Sequence, residues 1–192
     1  HGIGRRQRQM CIRDSSGTRL KLRSLLPADL DFVHSMLSDP EMMKHYPKCY
    51  SRDEAKIWIE QNQQRYEADG CGFWIAELPD GTPVGQMGLL MQHVEGFVEP
   101  EVAYLVSREY WRQGYAKEMA LAIRDWAMDE LGHAQVISLI RPSNLPSQGV
   151  ARSIGMTPWK VTRYKGLEHL VLRIRRVDRE KTNDSDLSLI HI

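Results

Sequence analysis

Residues 110–117 read Tyr-Trp-Arg-Gln-Gly-Tyr-Ala-Lys and join two segments of different periodicity. Residues 101–107 alternate as a strand does, whereas from Ala116 to Leu131 small and apolar residues recur with the spacing of one face of an amphipathic helix. The sequence therefore predicts a strand, a short turn at Gly114 and a helix. At the start of such a helix the backbone N–H groups and the positive end of the helix dipole point outward, which suits a phosphate group.

The turn taken alone has two interpretations. Gly114 either only reverses the chain, or it lets a phosphate approach the backbone, because glycine carries no Cβ. A single glycine does not make the three-glycine pattern of a Rossmann dinucleotide site, so the sequence does not support that site. A second segment favours the phosphate interpretation; residues 144–156 read Asn-Leu-Pro-Ser-Gln-Gly-Val-Ala-Arg-Ser-Ile-Gly-Met.

Together the two segments resemble those of the GNAT acetyltransferase superfamily, and more narrowly the branch that contains the ribosomal-protein N-terminal acetyltransferases RimJ and RimL. In that branch the first segment reads roughly Tyr-Trp-Gly-Lys-Gly-Tyr-Ala-Thr-Glu and the second Asn-x-x-Ser-x-x-Val-Ala-x-x-Leu-Gly-Met. The resemblance extends from Thr18 to about Ile174. It implies acetyl transfer from acetyl-coenzyme A to a primary amine by direct attack in a ternary complex, with no covalent acyl-enzyme and no metal. The acceptor is either a protein N-terminus or a small-molecule amine.

The predicted elements follow the order β-αα-βββ-α-β-α-ββ. Periodicity alone supports a mixed α+β domain, and the resemblance implies the GNAT fold, a single, mostly antiparallel twisted sheet flanked by helices. Predicted helices cover residues 27–37, 51–68, 116–131 and 144–155, and predicted strands cover 18–23, 73–78, 84–91, 101–107, 135–140, 159–164 and 168–174. Residues 95–100 are predicted to form an acidic loop.

Glu101 is the predicted general base. A primary amine with a pKa of roughly 10 is protonated at neutral pH and cannot attack, so a base must take its proton. Glu101 matches the glutamate that the family places shortly before a Gly-Tyr or Ala-Tyr pair, here Ala103-Tyr104. Glu99 is the alternative base, because a shift of one residue in strand phase changes which side chains face the cleft. In a third interpretation, both glutamates lie at a solvent-exposed strand edge and have no catalytic role.

The resemblance also assigns contacts to acetyl-coenzyme A. Backbone N–H groups of Leu105, Val106 and Ser107 would stabilise an oxyanion if this strand splays from its neighbour. Asn144 would hydrogen-bond the cofactor, and Ser147 would protonate the departing thiolate. Without a ligand, Asn144 is simply a helix N-cap and Ser147 a first-turn residue of the same helix.

The turn would hold the pyrophosphate through its backbone N–H groups. The residues assigned to it are Arg112, Gln113, Gly114, Tyr115, Ala116 and Lys117. Arg112 departs from the family pattern, in which glycine is usual at this position. Its Cβ restricts the backbone, while its guanidinium could contact a phosphate. Gly149 is a second departure, in a helix interior where glycine costs about 1 kcal/mol relative to alanine.

Both ends of the sequence resemble translated adapter DNA. Residues 5–15 are similar to the in-frame translation of a transposase sequencing adapter, and residues 187–192 to the same element read on the opposite strand. We therefore expect residues 1–15 to be adapter-derived and disordered, residues 16–176 to form one GNAT domain, and residues 177–192 to be a frayed tail. Native N-terminal residues, including any targeting segment, would be lost with such an end.

The charge balance changes when those ends are set aside. Residues 1–15 hold four of the 26 basic and one of the 25 acidic residues, and residues 187–192 hold none, so the rest of the chain has 22 basic and 24 acidic residues and a net charge of −2. No basic field remains for nucleic acid or for an acidic membrane surface.

Cysteine and histidine usage points to a reducing compartment without a metal. Cys49 and Cys71 do not make a disulfide framework, and the histidines show no metal-ligand spacing. The sequence contains no signal peptide and no long apolar run, which favours the cytoplasm. Related enzymes are commonly dimers, so the resemblance allows a homodimer. A rival from another class is a module that binds acyl-coenzyme A as a sensor without turnover.

Overall fold

A single seven-stranded sheet forms the centre of the protein. The structure is a computed structural model that describes residues 19–179. Along the sheet the strands run in the order β1-β2-β3-β4-β5-β7-β6, and every neighbouring pair is antiparallel except β4 and β5, which are parallel. The strands are β1 (Lys21–Ser24), β2 (Phe73–Glu77), β3 (Pro83–Val94), β4 (Phe97–Val106), β5 (Gln135–Ile140), β6 (Thr157–Tyr164) and β7 (Leu167–Arg175). This arrangement confirms the predicted fold class.

Helices cover both faces of the sheet, and its central strands β2, β3, β4 and β5 bury side chains on both sides. On β4, Val102 packs with the helices of one face, whereas Ala103 and Leu105 pack with those of the other. The first face carries α4 (Tyr115–Asp125) and α5 (Leu145–Ser153), and the second carries α1 (Leu30–Leu37), α2 (Pro40–Met43) and α3 (Arg52–Asp69). A π-helical turn, Trp126–Glu130, continues α4 to the end predicted from the sequence.

The predicted start of α3 is confirmed by its capping contacts. The Glu54 N–H donates to Ser51 Oγ at 3.3 Å, and the Ser51 N–H donates to Glu54 Oε2 at 2.9 Å, which together form a capping box. Gly70 ends the helix in the left-handed conformation with φ of +72°. The short helix α2 was not predicted; Asp39 caps it by accepting from the N–H of Glu41 at 2.8 Å.

The predicted acidic loop at residues 95–100 is wrong. The strand β4 already begins at Phe97, and only Glu95 and Gly96 turn the chain, with φ of +51° and +84°. Two consecutive residues with positive φ make a type I′ turn, whose twist matches that of the flanking strands. Glutamate and proline are depleted in strands, so the composition of this segment favoured a loop. Long pairing with β3 overrides that preference.

Candidate active site

The strands β4 and β5 diverge in the middle of the sheet. Within residues 19–179 they share a single ladder pair, Glu101 opposite Ile137. One residue further on, Ser138 Oγ donates to the Val102 carbonyl at 2.8 Å, and no later pair joins the two described strands. A gap therefore opens between them toward their carboxyl ends, which is the condition that the oxyanion donors of β4 require.

Hydrogen-bond direction along β4 determines which backbone groups face this gap. The Ser107 N–H donates to the Val84 carbonyl of β3 at 2.9 Å. Because direction alternates along an antiparallel strand, Leu105 also bonds toward β3, while Tyr104 and Val106 direct their N–H groups to the gap. The prediction that the Leu105 and Ser107 N–H groups face the gap is therefore wrong. Val106 remains a candidate oxyanion donor, and Tyr104, which the sequence did not indicate, becomes a second one.

Glu101 lies at the point where the gap opens, and its carboxylate is held from two sides. Its side chain is buried, with 8% of the residue exposed. Gln92 Nε2 donates to Glu101 Oε2 at 2.7 Å, and the Leu139 N–H donates to Oε1 at 3.2 Å. Burial raises the pKa of Glu101, and the hydrogen bonds from Gln92 and Leu139 oppose that rise. A carboxylate with a raised pKa is better matched to accepting a proton near neutral pH.

Glu99 has a different environment. Its Oε2 accepts from Gln135 Nε2 at 2.7 Å, and the residue does not line the cavity beside Glu101. The two glutamates are two positions apart and share one face of β4, so strand parity does not separate them. Their distance along the strand does, because only Glu101 reaches the opening of the gap.

A cavity of about 230 Å³ adjoins Glu101 on the α3 face of the sheet. Its walls come from the loop between α2 and α3, from α3 itself, from the end of β5 and from the β6–β7 hairpin. The loop between α2 and α3 contributes Tyr46. As a whole residue Tyr46 is 38% exposed, but its hydroxyl end is enclosed here, where burial raises the pKa of Tyr46 to about 12.

Gln92 and Tyr164 extend the hydrogen bonding around Glu101, and neither was identified from the sequence. The Tyr164 hydroxyl donates to Gln92 Oε1 at 2.6 Å, and Gln92 Nε2 in turn donates to Glu101. Gln92 is itself buried, on β3, while Tyr164 ends β6. Strands from opposite parts of the chain therefore fix the orientation of the carboxylate.

Asn144 and Ser147 lie at the start of α5, on the other face of the sheet. Asn144 Oδ1 accepts from the Ser147 N–H at 3.2 Å, so Asn144 is the N-cap of this helix. The Ser147 carbonyl accepts from the Tyr104 hydroxyl at 2.8 Å. The Tyr104 side chain thus connects β4 with α5 alongside the gap, and the predicted pair lies at the same end of the sheet as the opening.

The turn before α4 places a glycine in the left-handed conformation at the helix start. Gly114 is the N-cap, with φ of +84°, and Tyr115, Ala116 and Lys117 form the first turn of α4. The N–H groups at the start of that helix have no carbonyl one turn earlier to bond. Arg112 also has positive φ, +61°, in the region where glycine is favoured.

Arg19 stabilises this turn, a role that the sequence did not indicate. Its Nη2 donates to the Gln113 carbonyl at 2.9 Å, its Nε donates to Glu118 Oε2 at 2.8 Å, and its guanidinium lies 4.3 Å from the centre of the Tyr115 ring. These contacts to Gln113, Tyr115 and Glu118 link the segment before β1 to the helix start and hold the turn in place.

Comparison with known proteins identifies the fold and its chemistry. The family described as acetyltransferase (GNAT) domain matches residues 19–157. The chain belongs to the GNAT acetyltransferase family. It is 32% identical to the Bacillus subtilis protein YkkB over 140 residues, which cover 72% of this chain and 81% of the relative. It is 30% identical to the FsC-acetyl coenzyme A-N(2)-transacetylase of Aspergillus fumigatus over 150 residues, 72% of this chain and 63% of that protein.

Among solved structures, the acetyltransferase from Agrobacterium tumefaciens superposes with a TM-score of 0.73 at 27% sequence identity, over 82% of this chain and 91% of that one. Membership of the GNAT family confirms the predicted fold and assigns acetyl transfer as its chemistry. The matched segment includes the turn at Gly114, Glu101 and the start of α5.

Two further observations concern residues 19–179 alone. No helix in this range is long and apolar enough to cross a membrane. No group of three His, Cys, Asp or Glu side chains in this range is placed to hold a metal ion.

Proposed function

We propose that this GNAT protein transfers an acetyl group from acetyl-coenzyme A to a primary amine, with Glu101 as the general base. The observation that carries the proposal is the position of the Glu101 carboxylate. It is buried beside a cavity, held by Gln92 and by the Leu139 N–H, and placed where β4 and β5 separate. The raised pKa of Glu101 suits a group that accepts a proton from the attacking amine.

The arrangement of the chain fits a coenzyme A ester in the gap. The ester would supply the activated acetyl group, while the helix start at Gly114 would bind its pyrophosphate together with Arg112, Gln113 and Lys117. Backbone N–H groups of Tyr104 and Val106 face the space where the ester would lie. The name of the Aspergillus fumigatus relative, a transacetylase that uses acetyl-coenzyme A and acts on nitrogen, supports this donor and this class of acceptor.

Two residues of α5 complete the proposal. Asn144 caps the helix through its Oδ1 and would offer its amide group to the ester, because a capping oxygen leaves the amide N–H groups available. Ser147, in the first turn of the same helix, would donate a proton to the departing thiolate. In this scheme the amine attacks directly in a ternary complex, and no covalent acyl-enzyme forms.

From the motifs at residues 110–117 and 144–156 we further propose that the protein belongs to the RimJ/RimL-like branch. The two scattered cysteines, Cys49 and Cys71, are the basis for proposing a cytoplasmic location, and analogy with related enzymes is the basis for proposing a homodimer. We further propose that residues 16–176 form the catalytic domain. The adapter-like segments 5–15 and 187–192 lie outside the described residues, and a chain lacking 1–15 and 187–192 should keep its kcat/KM.

The experiment is a paired measurement of binding and turnover on the whole chain. Coenzyme A at 100 times its Kd should stabilise the protein by about 2.7 kcal/mol against heat unfolding, because it binds only the folded state. Mass spectrometry of a panel of amines and N-terminal peptides, incubated with acetyl-coenzyme A, should detect an acetylated product. Heat protection without any acetylated product would favour the rival function, an acyl-coenzyme A sensor. Absence of both would overturn the proposal.

A further inference from the structure

Cationic side chains outnumber carboxylates around the cavity beside Glu101. Arg65 of α3, Arg141 after β5 and Lys165 of the β6–β7 turn line it, and in the part of the chain that the structure describes Glu101 is the only carboxylate that does. Within residues 19–179 none of these three cations forms an ion pair with a carboxylate. Of the twelve other arginines in this range, seven form an ion pair, as Arg23 does with Asp29 and Glu77, and five do not.

The three cations have few other contacts that would account for their placement. Arg141 Nη1 donates to the Glu168 carbonyl at 2.9 Å, which fixes the guanidinium against the hairpin but leaves its charge without a counterion. Lys165 Nζ lies 5.4 Å from the centre of the Tyr164 ring. Arg65 is half-buried on α3. Three elements from distant parts of the sequence thus converge on one cavity with the same sign of charge.

These charges lie close to the reacting position. Arg65 and Lys165 both act on the Glu101 carboxylate, each favouring its ionised form. A positive field next to the amine site disfavours a protonated amine, which helps the acceptor to lose its proton. The same field repels a polycation, such as a polyamine, whose remaining ammonium groups would have to enter the cavity.

We infer that the acceptor is a small amine that carries an anionic group, a carboxylate or a phosphate, a few bonds from its amino group. The amino group would face Glu101, and the anion would pair with Arg65, Arg141 and Lys165. Apolar walls from Trp58, Phe73 and Leu139 would receive an uncharged side chain. The cavity of about 230 Å³ is below the range of pockets that enclose drug-sized ligands, which suits a molecule the size of an amino acid. This inference rests on the proposed function.

The test compares acceptors that differ only in the anion. The whole chain is assayed with acetyl-coenzyme A and leucine, leucine amide, 3-methylbutylamine, O-phosphoethanolamine, ethanolamine and spermidine. We expect kcat/KM for an anionic acceptor to exceed that of its neutral partner by about tenfold or more, because a desolvated charge pair is lost in the neutral compound. Preference for leucine identifies a carboxylate as the anion, and preference for O-phosphoethanolamine identifies a phosphate.

Variants that remove a positive charge from the cavity test which residues bind the anion of the acceptor. Arg65→Gln and Arg141→Gln should each reduce the ratio of kcat/KM for the anionic acceptor to kcat/KM for its neutral partner by about tenfold. Arg163→Gln is the matched control, because this exposed arginine lies on the same β6–β7 hairpin but outside the cavity. Calorimetric titration of the preferred anionic acceptor into the coenzyme A-bound protein supplies a readout independent of turnover, and its Kd should weaken in the same two variants.

The outcomes separate the two levels of the proposal. Acetylation of several amines with equal kcat/KM for charged and neutral partners, or with spermidine preferred, would overturn the anionic acceptor and leave the acetyltransferase intact. So would acetylation confined to peptide N-termini. Absence of transfer to every amine, together with absence of calorimetric binding, would overturn both.

Discussion

Among the glutamates of β4, burial and hydrogen bonding distinguish a candidate base from a structural carboxylate. Glu99 accepts from a single amide near the start of the strand, whereas Glu101 is enclosed and bonded by a side chain and a backbone N–H. Burial raises the pKa of Glu101, and the two hydrogen bonds lower it, so they oppose part of that rise. The protonation state of this one carboxylate should therefore control the rate at acidic pH.

The first prediction concerns Gln92→Leu, which removes the side-chain hydrogen bond to Glu101. Because that bond lowers the pKa of Glu101, its loss should raise the pKa further, so the base becomes protonated at higher pH. The acidic limb of the pH profile of kcat/KM should move to higher pH. Tyr164→Phe is the control, since it keeps the bond from Gln92 and should move the limb less. An unmoved limb in Gln92→Leu would contradict Glu101 as the titrating base.

The family motif, a glutamate before Ala103-Tyr104, indicated Glu101 as the predicted base and left Glu99 as the alternative. It gave no information about the surroundings of either residue. The partner Gln92 lies on a neighbouring strand, and Tyr164 reaches it from the far hairpin. Nothing local in the sequence links these three side chains, because strand register brings them together.

At the level of elements, the turn between β4 and α4 combines the expected geometry with a strained residue. Gly114 adopts positive φ without steric strain. Arg112 has φ of +61°, and its Cβ is strained in this left-handed conformation. The Arg112 side chain is exposed, so no buried packing offsets that strain. The family pattern has glycine at this position, and the conformation gives the physical reason.

Arg112→Gly should therefore stabilise the protein. We expect the free energy of unfolding to rise by about 1 kcal/mol, as relief of left-handed strain exceeds the greater entropy of glycine in the unfolded chain. Denaturant unfolding measures the change. Arg112→Ala, which keeps the Cβ and removes the guanidinium, should give no such gain. Equal stability of the two variants would show that strain at this position is not the cause.

The close approach of β2 and β3 gives a prediction of the opposite sign. A Cβ at Gly88 would overlap the Gly72 carbonyl and lie 2.8 Å from the Phe73 Cα, so Gly88→Ala should cost about 1–3 kcal/mol of stability. Gly149→Ala is the matched control, because its added Cβ meets nothing within 4 Å in the interior of α5 and should stabilise by about 1 kcal/mol. Similar Tm values for the two variants would contradict this packing.

The sequence predicted most elements because caps, turns and periodicity are local signals. The capping box at Ser51 and the positive-φ glycines Gly70 and Gly132 begin and end helices close to the bounds predicted from periodicity. The errors occur where tertiary contacts override local preference. Phe97 and Pro100 belong to β4 because pairing with β3 extends the strand through them, despite their acidic surroundings.

For the whole molecule, the divergence of β4 and β5 lies between two proposed binding regions on opposite faces of one sheet. On the α4–α5 face lie the turn at Gly114 and the start of α5, and on the α3 face lies the cavity. Glu101 stands at the opening that joins them. A donor bound on one side and an acceptor bound on the other would thus meet at this carboxylate.

Most residues that line the proposed acceptor cavity could not be predicted from the sequence. Its walls come from the loop at residues 45–50, from α3, from the end of β5 and from the β6–β7 hairpin, which are far apart in the chain. The donor side, by contrast, depends on two contiguous motifs. Family resemblance therefore predicted the chemistry, whereas the positive charge of the proposed acceptor cavity could be recognised only from the folded structure.

The most direct test of this account is the rate of acetyl transfer by Glu101→Gln at saturating acetyl-coenzyme A. The substitution keeps the shape of the side chain and removes its ability to accept a proton, so kcat should fall by about 10²–10⁴-fold with the Kd for coenzyme A unchanged. Glu99→Gln, on the same face of β4, should retain kcat within about twofold. Wild-type kcat in Glu101→Gln would contradict the assignment of Glu101 as the base.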